Sequence, residues 1–232
     1  MPRGWIVQPH EPIEKLEPNL WTVRGKVPGV PGFHRRMSIV RRADGSLVFY
    51  HAVPLEEPAM AELASWGRPD ALVLGHDQHA VDAAPFAQRL GLRMFGPARN
   101  LKRLRAKGLD VAPLEEMSPD PSVEFGQVDG TRTGDAFGTV RSGSSVSLLF
   151  ADCVQNNPGD GVNILFRLLG FTGGPRVSPP FRLLYTTDRV ALAAHLRRLA
   201  ETNGLTRLIP FHGNAIEVDP VAALRTVAAS ME

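Results

Sequence analysis

Apolar and polar positions alternate along this chain between strand-like and helix-like patterns. Trp5 to Gln8 and Leu20 to Arg24 are short β-prone runs, with Pro and Gly punctuation around them, as in Val27-Pro28-Gly29-Val30-Pro31-Gly32. Met37 to Arg42 and Leu47 to His51 flank Ala43-Asp44-Gly45-Ser46, and an Asp-Gly turn between two β-rich runs predicts a hairpin. Glu57-Pro58 opens a helix with Pro at its first position, and Gly67 closes it. Asp70 to Gly75 is a short continuous apolar run, the pattern of a buried strand. A helix from about Ala83 to Leu90, a strand Leu92 to Phe95 and a basic amphipathic helix follow. Strands are expected from Glu124 to Asp129 and from Ser145 to Ala151. Asp188 caps a helix reaching about Ala200, Thr206 to Pro210 is a strand, and Asp219-Pro220 starts the last helix.

This order is β-rich, then βαβα, then β-rich, then αβα. It predicts an α/β fold of mixed sheets with helices outside, since a doubly wound sheet would alternate throughout. No fixed short repeat and no linker-like shift in composition interrupts it, so the expectation is one domain over 1–232. With 43% hydrophobic and 22% charged residues, disorder is excluded as a class. A net charge of +2 carries no nucleic-acid signature. The local cluster Arg99, Lys102, Arg103, Arg105 and Lys107 lies among Leu101, Leu104 and Leu109, as on the solvated face of a helix, with a phosphate-binding patch as the second reading. No apolar run approaches the length of a membrane span, and the N-terminus lacks a secretory stretch, so a cytoplasmic location is expected. Val162 to Leu169 is apolar nearly all round between Asn-Pro-Gly and Gly-Gly-Pro flanks. That pattern suits a core helix, a lid over a pocket, or a homodimer contact.

The chemistry-bearing residues gather at strand ends. Strand 71–75 runs into His76-Asp77-Gln78-His79-Ala80-Val81-Asp82, strand 146–151 into Asp152, and strand 207–210 into Phe211-His212-Gly213. The Gly130 turn leads to Thr133-Gly134-Asp135. Carboxyl ends of parallel strands are where α/β sheets bind ligands. Imidazoles mixed with carboxylates suit zinc, iron or manganese. Each piece has an ordinary alternative: exposed histidines at a helix start, a turn-capping Asp152, a strand-end His212, a plain Gly134-Asp135 turn. Their conjunction carries the argument. No Gly-x-Ser-x-Gly elbow, P-loop or dinucleotide spacing is present. Cys153, the single cysteine, ends an apolar strand, where packing is its ordinary role, with a nucleophile served by His212 as the alternative.

These motifs, in this order, resemble the metallo-β-lactamase superfamily, and within it the uncharacterised DUF4336-type proteins. The likeness is carried by Leu72-Val73-Leu74-Gly75-His76-Asp77-Gln78-His79, by Leu148-Leu149-Phe150-Ala151-Asp152, and by Leu208-Ile209-Pro210-Phe211-His212-Gly213. It implies a four-layer αββα sandwich of two mixed sheets with a metal site at one edge. The superfamily's His-x-His-x-Asp-His is altered here to His76-x-x-His79-x-x-Asp82, and Asp135 stands where a Gly-His turn usually supplies another ligand. The resemblance therefore implies a reduced site of one divalent transition metal, held by His76, His79, Asp152 and His212 with Asp135 as a substitute ligand. Zinc comes first, with iron or manganese as alternatives, and Asp77 or Asp82 is expected as general base. The implied activity is hydrolysis of an ester, thioester, lactone or phosphoester of a small-molecule substrate. The alternative is a non-catalytic member that binds a small molecule.

Overall fold

The computed structural model describes residues 4–232; Met1 to Arg3, part of the N-terminal stretch considered above, lie outside them. Seven strands form the first sheet in sequence order: β1 (Glu14–Glu17), β2 (Leu20–Lys26), β3 (His34–Arg41), β4 (Ser46–Tyr50), β5 (Arg68–Val73), β6 (Arg93–Gly96) and β7 (Val111–Pro113). The first four pair antiparallel, and β4 to β7 run parallel. The second sheet has the order β11-β10-β9-β8, built from β8 (Val123–Gln127), β9 (Ala136–Ser142), β10 (Ser145–Phe150) and β11 (Leu205–Pro210). Only its β10–β11 pair is parallel. The helices are α1 (Glu57–Trp66), α2 (Ala83–Leu90), α3 (Leu101–Ala106), α4 (Ile164–Leu168), α5 (Pro179–Leu184), α6 (Arg189–Ala200) and α7 (Pro220–Ala229).

Three apolar clusters fill the spaces between four layers. Leu20, Val40, Val48 and Val73 of the first sheet meet Val140, Leu149 and Ile209 of the second. On the outer side of the first sheet, Ile39, Phe49 and Leu72 pack on Leu63 of α1 and Phe86 of α2. On the outer side of the second, Leu148, Phe150 and Leu208 pack on Leu192 and Leu196 of α6 and Leu224 of α7. The two sheets thus lie face to face, each covered by helices, which is the αββα sandwich.

Most elements fall where the apolar pattern puts them. Trp5 to Gln8 is a correction: it forms no strand, because Trp5 stacks on Phe86 with ring centroids 5.6 Å apart, and the first strand is β1 instead. Strand β7 and helix α5 are short elements that carry no distinct periodic signal. The basic helix α3 buries Leu104 and turns Lys102, Arg103 and Arg105 to solvent, as an ordinary amphipathic helix does. Asp188 caps α6, its carboxylate accepting from the Ala191 N–H at 2.9 Å. Replacing Asp188 by Ala is expected to lower unfolding free energy by about 1 kcal/mol in urea titration; an unchanged midpoint would mean that solvent satisfies the helix end equally well.

Candidate metal centre

Parallel pairing brings the chemistry-bearing strand ends together. In the first sheet Tyr50 of β4 lies opposite Val73 of β5, so His51 and the Leu74-Gly75-His76 exit emerge side by side. In the second, Phe150 of β10 lies opposite Pro210 of β11, which sets Asp152 beside His212. The sheets are tied at this edge: the Ala136 N–H donates to the Gly75 carbonyl at 2.9 Å, and the Tyr50 hydroxyl donates to the Ala136 carbonyl at 2.6 Å. Gly75 is required here, since a Cβ would lie 2.7 Å from the Tyr50 hydroxyl and 2.8 Å from both Ala151 Cβ and His51 Nε2.

His76 opens a single 3-10 turn, Asp77–His79, and its Nδ1 accepts from the Gln78 N–H at 3.2 Å. The turn swings His79 back over the second sheet, where its Nε2 meets Asp152 Oδ2 at 2.6 Å. His76 Nδ1 is 3.9 Å from the same oxygen, and His76 Nε2 is buried without a partner. His212 Nδ1 donates to the His34 carbonyl at 2.8 Å, which orients the ring and leaves Nε2 3.8 Å from Asp152 Oδ1. Asp152 is therefore the hub of three imidazoles. Burial pushes its carboxyl up, but His79 first, then His76 and His212, overcome this and hold it well below the usual carboxylate range. Burial, reinforced by His79, pushes His212 down to about 4. Burial likewise lowers His76; a neutral imidazole and an ionised carboxylate are the forms in which such side chains bind metals.

The donor atoms of His76, His79 and Asp152 lie within 4.8 Å of one another, and no wider convergence occurs among the described residues. Two imidazoles and a carboxylate, with the unpartnered His76 nitrogen and His212 alongside, fit a divalent transition metal.

The other expected site residues lie apart from this triad. Asp135 turns to the backbone: its Oδ2 accepts the N–H groups of Asp152 at 3.0 Å and Cys153 at 2.8 Å. It thereby fixes the turn that presents Asp152, while burial, with Asp152 adding to it, pushes its own carboxyl up. Asp77 is buried toward α3, accepting from Gln78 Nε2 at 3.1 Å with Lys107 Nζ at 3.4 Å. Asp82 is buried in an ion pair with Arg35. Both carboxylates expected as the base are thus engaged by other side chains. Cys153 is buried in the outer core of the second sheet, and burial raises its thiol pKa, so packing is its role.

Two residues escaped sequence reasoning. His51 is fully buried with φ of 62° and neither ring nitrogen partnered, its ring 5.7 Å from that of His79. It ends β4, beside β5, so the strand-end rule that found His76 applies to it equally. Arg35 of β3 reaches the same region, and nothing in the local pattern marks it.

A cavity of about 350 Å³ opens over His79 and Asp152, with His76 buried behind them. His79, Asp152 and His212 form its polar floor with Gln78 and Gln155. Its walls are apolar, chiefly Phe33, Phe166, Phe171, Phe181 and Tyr185.

No family model and no curated protein matches the chain, so the narrower DUF4336-type likeness stays a resemblance. Solved structures do match. The DIM-1 metallo-β-lactamase exposed to ceftazidime is 14% identical with a TM-score of 0.63, covering 98% of this chain and 100% of its own. TMB-1 is 13% identical with a TM-score of 0.59, covering 97% and 99%. A metallo-β-lactamase from Hirschia baltica is 14% identical with a TM-score of 0.55, covering 94% and 98%. The likeness extends over essentially the whole length of both chains, and with the two face-to-face sheets it establishes that this chain has the metallo-β-lactamase fold.

Proposed function

We propose that this chain is a metal-dependent hydrolase with a mononuclear centre held by His76, His79 and Asp152, His212 completing the set. The observation that carries this reading is the convergence of His76, His79 and Asp152, with His79, Asp152 and His212 lining a cavity and His212 oriented by the His34 carbonyl. A bound divalent ion supplies Lewis acidity toward water and toward a carbonyl or phosphoryl centre. Zinc suits the donors best, with iron or manganese as alternatives. Around it, Asp135 holds the Asp152 backbone, and the aromatic walls exclude water and receive an apolar group of an ester, thioester, lactone or phosphoester. Asp77 and Asp82 brace the site through Lys107 and Arg35, and neither is proposed as general base.

Plasma mass spectrometry of protein purified without chelator or metal resin tests this. About one transition metal per chain is expected, with at least a tenfold loss of occupancy in Asp152→Ala and His79→Ala at unchanged far-UV circular dichroism. Full occupancy in both variants would sink the assignment. A second reading is a binding module without catalysis, favoured by one contact: His79 and Asp152 already satisfy each other at 2.6 Å. Failure of the native chain to take up zinc, manganese or iron would select it.

A further inference from the structure

Six of the ten exposed large apolar side chains among the described residues lie on two short helices. Ile164, Leu165, Leu168 and Leu169 belong to α4 and its end, and Leu183 and Leu184 to α5. Leu168 is 78% exposed and Leu183 80%. Of the three readings of this segment, the core helix is overturned, since no residue of α4 itself is buried. Soluble surfaces rarely leave so much apolar area together without a partner.

The same helices wall the cavity. Phe166 of α4 and Phe181 and Leu184 of α5 line it, and the backbone at Gly170 lies against the Pro179 ring. Leu184 is at once exposed and part of the wall, so the outer apolar surface continues into the cavity.

Charge identifies what covers this surface. Residues 160–190 contain Arg167, Arg176, Arg182 and Arg189 against two acids, Asp160 and Asp188, and Asp188 is used as the cap of α6. Among the described residues none of these four arginines forms an ion pair, though ion pairs are common elsewhere on the chain. A two-fold contact with a second copy would set the arginines against themselves. An anionic lipid surface accepts both features: leucines enter the boundary of the acyl region, and guanidinium groups meet acidic headgroups. We propose that the α4–α5 face docks peripherally on an anionic lipid surface and turns the cavity mouth toward it. No helix among the described residues is long and apolar enough to cross a membrane, so the contact is interfacial. An amphiphile can then pass its apolar part into the aromatic cavity without crossing water.

The test is co-sedimentation of the full chain with large unilamellar vesicles. Binding is expected to mixed phosphatidylcholine–phosphatidylglycerol vesicles, at least about tenfold weaker to phosphatidylcholine alone, and weakened further by salt. Leu168→Asp and Leu183→Asp should each reduce binding roughly tenfold or more, with thermal unfolding unchanged because both side chains are exposed. Absence of binding to the anionic vesicles, or variants that bind like the parent, would overturn the proposal. So would a concentration-dependent dimer, broken by Leu168→Asp, in a chain that ignores vesicles. Metal content enters none of these outcomes, so the docking surface and the hydrolase reading fail separately.

Discussion

Asp82→Ala is expected to destabilise the fold by about 3–5 kcal/mol, more than any other side-chain truncation near the cavity. Asp82 and Arg35 are each 4% exposed, and their ion pair joins the start of α2 to β3. Removing the carboxylate leaves a guanidinium in low dielectric with no counter-charge, and two of its nitrogens, Nε and Nη2, already lack partners. Asp82→Asn, which keeps a hydrogen-bond acceptor and drops the charge, should cost less. The double variant Arg35→Met/Asp82→Leu should recover much of the loss, because two apolar side chains leave no orphaned charge. Urea titration of the three variants decides it. A loss under about 1 kcal/mol for Asp82→Ala would mean that Arg35 finds solvent, and the pair would then not be a structural brace.

Gly213→Ala should cost about 2–5 kcal/mol and displace His212 as it does so. Gly213 has φ of 92°, outside the range that L side chains adopt freely. A Cβ there would stand 2.0 Å from the Asn156 carbonyl oxygen and 2.3 Å from its carbon, both backbone atoms that cannot rotate away. The same strand-like bridge carries the Asn156 N–H to the His212 carbonyl at 3.2 Å, so relief at Gly213 moves the candidate ligand before it. Gly143→Ala is the control: its φ of 62° is also positive, but nothing lies within 4 Å of the added atom. That variant should lose only about 1 kcal/mol of backbone preference. Equal midpoints for the two variants in urea would show that the close approach at Asn156 relaxes freely.

The candidate donors were legible because a buried strand writes itself as an apolar run, and a polar residue ending such a run has few structural excuses. His76, Asp152 and His212 follow this rule, and His79 follows His76 by one tight turn. Asp135 was named as a substitute ligand through the resemblance, but neither its burial nor its direction was legible. Whether a carboxylate faces an ion or two backbone N–H groups depends on the Asp152–Cys153 turn, which the residues before Asp135 do not encode. His51 was missed because its run reads as the second arm of a hairpin, and only the parallel partner β5 reveals that its end belongs to the site. Asp77 and Asp82 looked free because their cations, Lys107 and Arg35, are separated from them in sequence. Mixed sheets with helices outside were recoverable from element order and the four-layer sandwich from the resemblance, while β7 and α5 are too short for periodicity to speak.

The parallel pairing of β10 with β11 has a consequence for how this molecule can change over generations. Parallel neighbours need a long return path, and here that path is residues 151–204, the stretch that supplies α4, α5 and most of the aromatic wall. Closure entropy rises only with the logarithm of length, so doubling such a connection costs roughly 0.6 kcal/mol. Insertions and replacements in its middle, at residues 158–187 after Asp152 and before α6, therefore leave the sheets and the strand-end donors almost untouched. Lineages built on this frame can exchange the chamber around a fixed set of histidines and carboxylate, and a library confined to that one connection is the economical place to redirect what the cavity admits.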